Sequence, residues 1–145
     1  MARRSRFVKA VGIFFMAVLV LSGVLGFLYP MMSKGEKAPA STPEIENLLK
    51  SGKPFIIYFR VQGNPLCREQ ERILVRVLSD AQFTWRVGFT LVEYSNETVK
   101  VFEDYGIRSV PALVIVDREG FIKYIFQGGI VEERVLRNAL SQVVS

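Results

Sequence analysis

The sequence predicts an α/β domain in three layers, with helices on both faces of a mixed sheet, preceded by one transmembrane helix. Three features predict this architecture: an uncharged apolar run at residues 10–28, a continuous apolar run at Phe55–Phe59, and amphipathic helices that alternate with strands over residues 42–144. Strands that are apolar throughout, such as residues 55–59 and 112–116, are typical of a sheet covered on both faces. The 145 residues leave room for one domain of ordinary size.

Composition excludes several classes of function. The chain has one cysteine, Cys67, and no histidine, which excludes an internal disulfide framework, a serine hydrolase triad and a conventional zinc site. We therefore expect no metal and no cofactor. The net charge is +5, but Arg3, Arg4, Arg6 and Lys9 contribute four of the 19 basic residues, so 15 basic residues face 14 acidic ones after residue 9. The folded part is nearly neutral and lacks the basic stripe that nucleic-acid binding requires.

The N-terminal region predicts a signal anchor that is not cleaved. As a helix, its uncharged run would span about 28 Å, close to the hydrocarbon thickness of a bilayer. The alternative is a cleaved signal peptide, but the small-residue site at 38–40 lies well beyond the apolar run. Basic residues before the segment predict a cytoplasmic N-terminus. The predicted organisation is a cytoplasmic arm (1–9), a transmembrane signal anchor (10–29), a flexible linker (30–41) and an extracytoplasmic or periplasmic domain (42–145).

The first half of that domain contains two helix starts with the same chemistry. A Thr-Pro pair at residues 42–43 forms an N-cap and first turn for a short helix, which precedes the strand at 55–59. An Asn-Pro pair at residues 64–65 begins a long amphipathic helix over residues 66–80 in the same way. The predicted buried face of this helix consists of Leu66, Ile73, Leu74, Val77 and Leu78.

The second half predicts three strands and two helices. In chain order they are a strand at 89–94, a helix at 96–105 capped by Ser95, a strand at 112–116, a strand at 121–127 and a closing amphipathic helix at 132–144. The turn sequence at residues 117–120 predicts that the last two strands form a hairpin. We expect Trp85 in the core, together with the phenylalanines.

Three stretches of the sequence resemble the thioredoxin family. They are residues 53–59 followed by Asn64-Pro65-Leu66-Cys67, residues 105–116, and residues 117–129. This resemblance covers residues 42–144. The helix at 66–80 is also similar to that of the membrane-associated, extracytoplasmic thioredoxin-like proteins that handle disulfides. The resemblance implies a three-layer sandwich around a mixed four-stranded sheet, with the first strand interior and the fourth at an edge. It also implies a cis peptide bond between Val110 and Pro111, facing the helix that begins at Asn64.

The chain departs from the family at the reactive pair. Asn64 stands where the family has its attacking cysteine, and Cys67 stands where it has the second, resolving cysteine. Gly63 replaces a common tryptophan, and Tyr58 falls where many members keep a buried acidic residue for proton transfer. A redox cycle between two cysteines of one chain is therefore excluded.

Cys67 leaves two interpretations open. In the first turn of a helix, unpaired amides and the helix dipole favour a thiolate, and Arg60 and Arg68 would add positive potential. A free cysteine is also commonly a small buried hydrophobic residue.

The residues support three hypotheses for function. The first is a membrane-anchored monothiol that acts on protein thiols and forms mixed disulfides through Cys67. The second is a non-catalytic binding or chaperone-like module, in which residues 64–67 and the backbone at Val110 and Pro111 hold an extended peptide segment. The third is a homodimer linked through Cys67.

Overall fold

The computed structural model describes residues 35–145. The helices and strands in this part of the chain are α1 (Pro43–Lys50), β1 (Phe55–Arg60), α2 (Pro65–Leu78), β2 (Gly88–Glu93), α3 (Val99–Asp104), β3 (Ala112–Val116), β4 (Ile122–Gln127) and α4 (Glu133–Val144). The predicted arm, the predicted signal anchor and residues 30–34 of the predicted linker lie outside the described residues. Within residues 35–145, no helix is long and apolar enough to cross a membrane.

The strands form one sheet in the order β2-β1-β3-β4. β1 pairs with β2 in parallel, with Phe55 opposite Gly88, and with β3 in antiparallel, with Phe59 opposite Ala112. β3 and β4 form the predicted antiparallel hairpin. The predicted positions of β1, between the second and third strands, and of β4, at an edge, are therefore confirmed.

Helices cover both faces of this sheet, which explains the apolar composition of β1. Ile56 and Tyr58 point into a core shared with α2 and α4. Phe55, Ile57 and Phe59 point into a second core, against α1 and α3. Full burial of an isoleucine or phenylalanine side chain contributes about 1.5–3 kcal/mol. β1 therefore stabilises both layers at once.

The directions of the strands assign each loop to one of two ends of the sheet. β1, β2 and β4 run one way and β3 runs the other way. The segments after β1 and β4 and the segment before β3 share one end, called here the Cys67 end: residues 61–67, 109–111 and 128–132. The segments before β1 and β2 and the turn that joins β3 to β4 share the other end, called here the Trp85 end: residues 51–54, 84–87 and 117–120.

Residues 36–38 extend the sheet beside the start of β4. The amide of Ala38 donates to the carbonyl of Gly120 at 2.9 Å, and Ala38 is buried. The compact unit begins at Gly35. Contacts with the sheet therefore start upstream of the predicted boundary at Thr42.

Two helix predictions are wrong in detail. α3 begins at Val99 instead of residue 96, because residues 95–98 form a turn in which the amide of Ser95 donates to the hydroxyl of Thr98 at 2.9 Å. Leu66 is 46% exposed and does not lie on the buried face of α2. The inward position belongs to Cys67, from which buried residues continue along α2 at steps of three and four.

Trp85 lies outside the core, against the prediction. It is 88% exposed, whereas Phe83, two residues earlier, is fully buried. Its φ of +68° is in the left-handed region, which bulky residues rarely adopt. The loop turns back here, since the amides of Arg86 and Val87 both donate to the carbonyl of Phe83 at 3.0 Å. Trp85 lies at the outside of that turn.

Candidate functional site

Asn64 closes the first turn of α2. Its side-chain oxygen accepts hydrogen bonds from the amide of Leu66, at 2.9 Å, and from the amide of Cys67, at 3.3 Å. Its backbone is extended, and Pro65 follows at the first helical position, where a fixed φ suits the helix. The predicted N-cap is confirmed. Two of the amides that could stabilise an anion at this helix end are already bonded to Asn64.

The thiol of Cys67 is inaccessible. Cys67 is 1% exposed and lies in the core with Ile56 and Leu113. It is a free cysteine that packs as a small apolar side chain. Within residues 35–145, no group of three acidic, cysteine or histidine side chains is placed to hold a metal ion. The geometry of Cys67 therefore matches the buried interpretation.

Tyr58 links β1 to the first turn of α2. Its side chain is fully buried, and its hydroxyl donates to the carbonyl oxygen of Cys67 at 2.9 Å. The same hydroxyl lies 3.4 Å from Oε1 of Glu71, but a phenol has one proton and the shorter bond takes it. Burial, together with the neighbouring Cys67 and Glu71, raises the pKa of Tyr58 above its ordinary value. Tyr58 is thus a neutral hydrogen-bond donor beneath the first turn of α2.

Arg60 is engaged by two carboxylates at the end of β1. Nη1 donates to Oε1 of Glu71 at 2.9 Å, and Nη2 donates to Oε2 of Glu93 at 2.7 Å. The three side chains are partly exposed, so each pair contributes no more than about 1 kcal/mol. Glu71 and Glu93 thus compensate the positive potential expected from Arg60. The second predicted cation, Arg68, is exposed on α2 and forms no ion pair within residues 35–145.

The segment before β3 leaves backbone groups unpaired. The peptide bond between Val110 and Pro111 is cis, as the resemblance implies. Pro111 is buried, and Val110 is partly buried against both cores, including the one that contains Cys67. Pairing with β1 and β4 starts only at Ala112. Within residues 35–145, neither the amide nor the carbonyl of Val110 forms a hydrogen bond. Such a backbone edge can accept an extended strand of another protein.

Exposed apolar side chains occur at the same end of the sheet. Leu66 follows β1 and Ile130 follows β4, and both are exposed. Together with Val110 and Pro111 they define a surface that we call the Val110 surface. The structure thus places the sequence-predicted residues Leu66, Val110 and Pro111 at one end, while Cys67 lies in the core below the surface.

Gln70 is a site residue that the sequence analysis missed. It is fully buried, its Oε1 accepts from the amide of Val131 at 2.6 Å, and its Nε2 donates to the carbonyl of Val131 at 3.3 Å. These bonds fasten the loop at 128–132, which carries Ile130, to α2. The available signal was a polar residue three positions after Cys67 on the inward face of the helix.

Comparison with known proteins identifies the fold. No family model and no curated protein sequence match the chain. Among solved structures, a thioredoxin variant from Halobacterium salinarum is similar at a TM-score of 0.61 and 15% identity, covering 72% of this chain and 86% of its own. A protein named Trxlp from Edwardsiella tarda is similar at a TM-score of 0.59 and 16% identity, covering 68% and 93%.

A third similar structure carries a functional description. It is a thiol:disulfide interchange protein of the thioredoxin family from Chlorobium tepidum, with a TM-score of 0.52, 14% identity, and coverage of 69% of this chain and 85% of its own. At these identities the likeness shows the fold alone. The domain of residues 35–145 has a thioredoxin-like fold.

Proposed function

We propose that the chain is a membrane-anchored, extracytoplasmic binding module that holds extended segments of client proteins at the Val110 surface. The observation that carries the proposal is the unpaired backbone of Val110, at an end of the sheet where the single cysteine is buried. A segment that pairs with this backbone gains main-chain hydrogen bonds without any covalent step.

Leu66 and Ile130 supply side-chain contacts for such a segment. Alternate side chains of an extended strand point to the same face, so a client with apolar residues at alternate positions presents them to these two exposed side chains. The chain after residue 9 carries a net charge of only +1. Apolar contact and backbone pairing are the interactions through which the Val110 surface would hold the client.

The proposed location rests on the N-terminal sequence. The uncharged run at residues 10–28 and the basic arm before it support a single-pass anchor with the domain outside. Protease added to intact cells with a permeable outer barrier should degrade residues 42–145 and leave the arm intact. A protected domain would contradict the topology, and a mature chain that starts near Ser41 would contradict the anchor.

Binding can be tested with a reduced, carboxymethylated protein as an extended probe without free thiols. Leu66→Glu should weaken its binding roughly tenfold or more, because tenfold corresponds to about 1.4 kcal/mol and the apolar contact of a buried leucine exceeds that. Val75→Glu is the matched control, since Val75 is exposed on α2 away from the Val110 surface. Equal binding by the two variants would refute the assignment of the surface.

A second candidate is a monothiol redox function through Cys67. Its position as the third residue of α2 favours this candidate, because helix N-termini stabilise thiolates. The Cys67 thiolate would attack a client disulfide, forming a mixed disulfide and releasing one client thiolate. The thiolate of an external thiol would then attack the client sulfur of the mixed disulfide, forming a disulfide with the client and releasing the Cys67 thiolate.

Alkylation of Cys67 distinguishes the two candidates. The binding module predicts that the native domain is alkylated at least about a hundredfold more slowly than the same chain in urea, because local opening by a few kcal/mol must expose the thiol first. Alkylation near neutral pH that is faster in the native domain than in urea would support the monothiol and refute the purely non-covalent role. The same burial disfavours a homodimer linked through Cys67.

A further inference from the structure

The Trp85 end carries an exposed aromatic side chain among basic residues. Trp85, the single tryptophan of the chain, is highly exposed. It lines a shallow depression of about 240 Å³ together with Lys53, Arg86 and Arg118, and no acidic side chain is among the lining residues. All three cations are exposed. This composition differs from that at the last residue of β1, where Arg60 is compensated by carboxylates.

Backbone carbonyl groups hold these cations in place. Nζ of Lys53 donates to the carbonyl of Trp85 at 3.1 Å. Arg86 and Arg118 both donate to the carbonyl of Val144, at 3.1 and 3.3 Å. A carbonyl is neutral and leaves the charge of its donor uncompensated. The hairpin turn at this end contains two acidic residues, Asp117 and Glu119. Asp117 is paired with Nζ of Lys123 at 3.3 Å, so Glu119 alone opposes Lys53, Arg86 and Arg118.

We propose that this end of the domain docks on the anionic phospholipid headgroups of the membrane, with Trp85 in the interfacial layer. Tryptophan is enriched where lipid and water meet, since its ring is apolar and its N–H is polar. Basic residues are attracted to anionic leaflets. The backbone of Trp85 is held in the left-handed region by a tight turn, and its side chain stays outside the core. This arrangement fits the proposed role.

The start of the described chain supports lipid as the occupant. Gly35 lies against the carbonyl of Ile122, the first residue of β4, next to the Trp85 end. This step rests on the proposed anchor, from which residues 30–34 separate Gly35. A chain extends at most about 3.6 Å per residue, so the tether reaches about 20 Å. A tether of this length is short enough to keep Gly35 within reach of anionic headgroups if the anchor is present.

The single tryptophan makes the docking measurable in the full chain. The protein is reconstituted in nanodiscs of phosphatidylcholine, with and without phosphatidylglycerol, and acyl chains brominated near the headgroup serve as quenchers. We expect Trp85 emission to be quenched and shifted to shorter wavelength with the anionic lipid, and to be restored by high salt. Emission that is equal in both lipids and insensitive to the brominated chains would overturn the proposal.

Charge variants test the basic residues. Lys53→Gln and Arg118→Gln should each lower the ratio of docked to undocked protein roughly fivefold, the effect of one cation near an anionic surface. Lys100→Gln is the control, since it removes one exposed cation from α3. A loss as large in Lys100→Gln as in the other two variants would show a non-specific charge effect and overturn the assignment. If the chain does not elute with the nanodisc, the proposed anchor is refuted. In that case, quenching of Trp85 emission by added vesicles of the same lipids tests the docking surface separately.

Discussion

Replacement of Gln70 by leucine tests how the loop of the Val110 surface is fastened. Leucine has a similar volume, but it leaves the amide and the carbonyl of Val131 without their partners at 2.6 and 3.3 Å. Both residues are buried. Each orphaned buried polar group costs about 1–3 kcal/mol, and the gain from burying an apolar side chain offsets part of the sum. We expect the free energy of unfolding to fall by about 2–4 kcal/mol, out of a typical total of about 5–15 kcal/mol.

Urea unfolding of residues 35–145 measures this loss from the shift of the midpoint at constant slope. Gln82→Leu is the matched control, because Gln82 is exposed and such surface changes stay within about 0.5 kcal/mol. The variant should also bind an extended probe more weakly than the wild type, since Ile130 lies in the loop that Gln70 fastens. A loss below about 1 kcal/mol, or one no larger than that of Gln82→Leu, would refute the role assigned to the two hydrogen bonds.

Two further predictions concern ionisation and the reactive pair. Burial raises the pKa of Tyr58 and Tyr105 in the folded domain. Their contribution to the free energy of unfolding is therefore fully present below the ordinary tyrosine pKa of about 10. Above that pH it falls by up to about 1.4 kcal/mol per pH unit for each tyrosine. Urea unfolding between pH 9 and 11 should show this decline, and Tyr105→Phe should reduce its slope by about half; a flat profile would contradict the burial argument. Asn64→Cys should form a disulfide with Cys67 under mild oxidation, because the two residues flank the first turn of α2. A variant that stays fully reduced, by mass spectrometry, would remove the basis for matching Asn64 to the attacking cysteine of the family.

Local chemistry makes the fold predictable from the sequence. The apolar run at 55–59 can be buried on both faces only inside a covered sheet, and this is where β1 lies. The Asn-Pro pair at 64–65 specifies a helix start by itself, because a side-chain acceptor is followed by a residue with a fixed φ, and α2 begins there. Signals of this kind act over a few residues and need no knowledge of the partner elements.

The features that sequence reasoning missed depend on distant partners. Gln70 resembles a surface residue until its bonds to Val131, 61 positions away, are known. The size of Trp85 predicts a place in the core, but a turn that closes on Phe83 excludes it. The prediction for Leu66 is wrong by one residue of helix phase, because the inward position belongs to Cys67. For Gln70 and Leu66 the error concerns orientation within α2, whose position is right.

The two proposed surfaces are compatible because the strand directions separate them. β1 has six residues, and a strand rises about 3.3 Å per residue. The Val110 surface and the Trp85 end therefore lie roughly 20 Å apart, at opposite ends of one sheet. A domain docked through Trp85 would present Val110 to the aqueous side, where an extended client segment can approach without contact with headgroups. Docking would also hold the sheet in one orientation relative to the bilayer, and this lowers the entropy that a membrane-associated client loses on binding. Lys53→Gln should therefore bind a membrane-tethered client more weakly and a soluble probe as well as the wild type does. This result would show that docking at the Trp85 end assists binding at the Val110 surface.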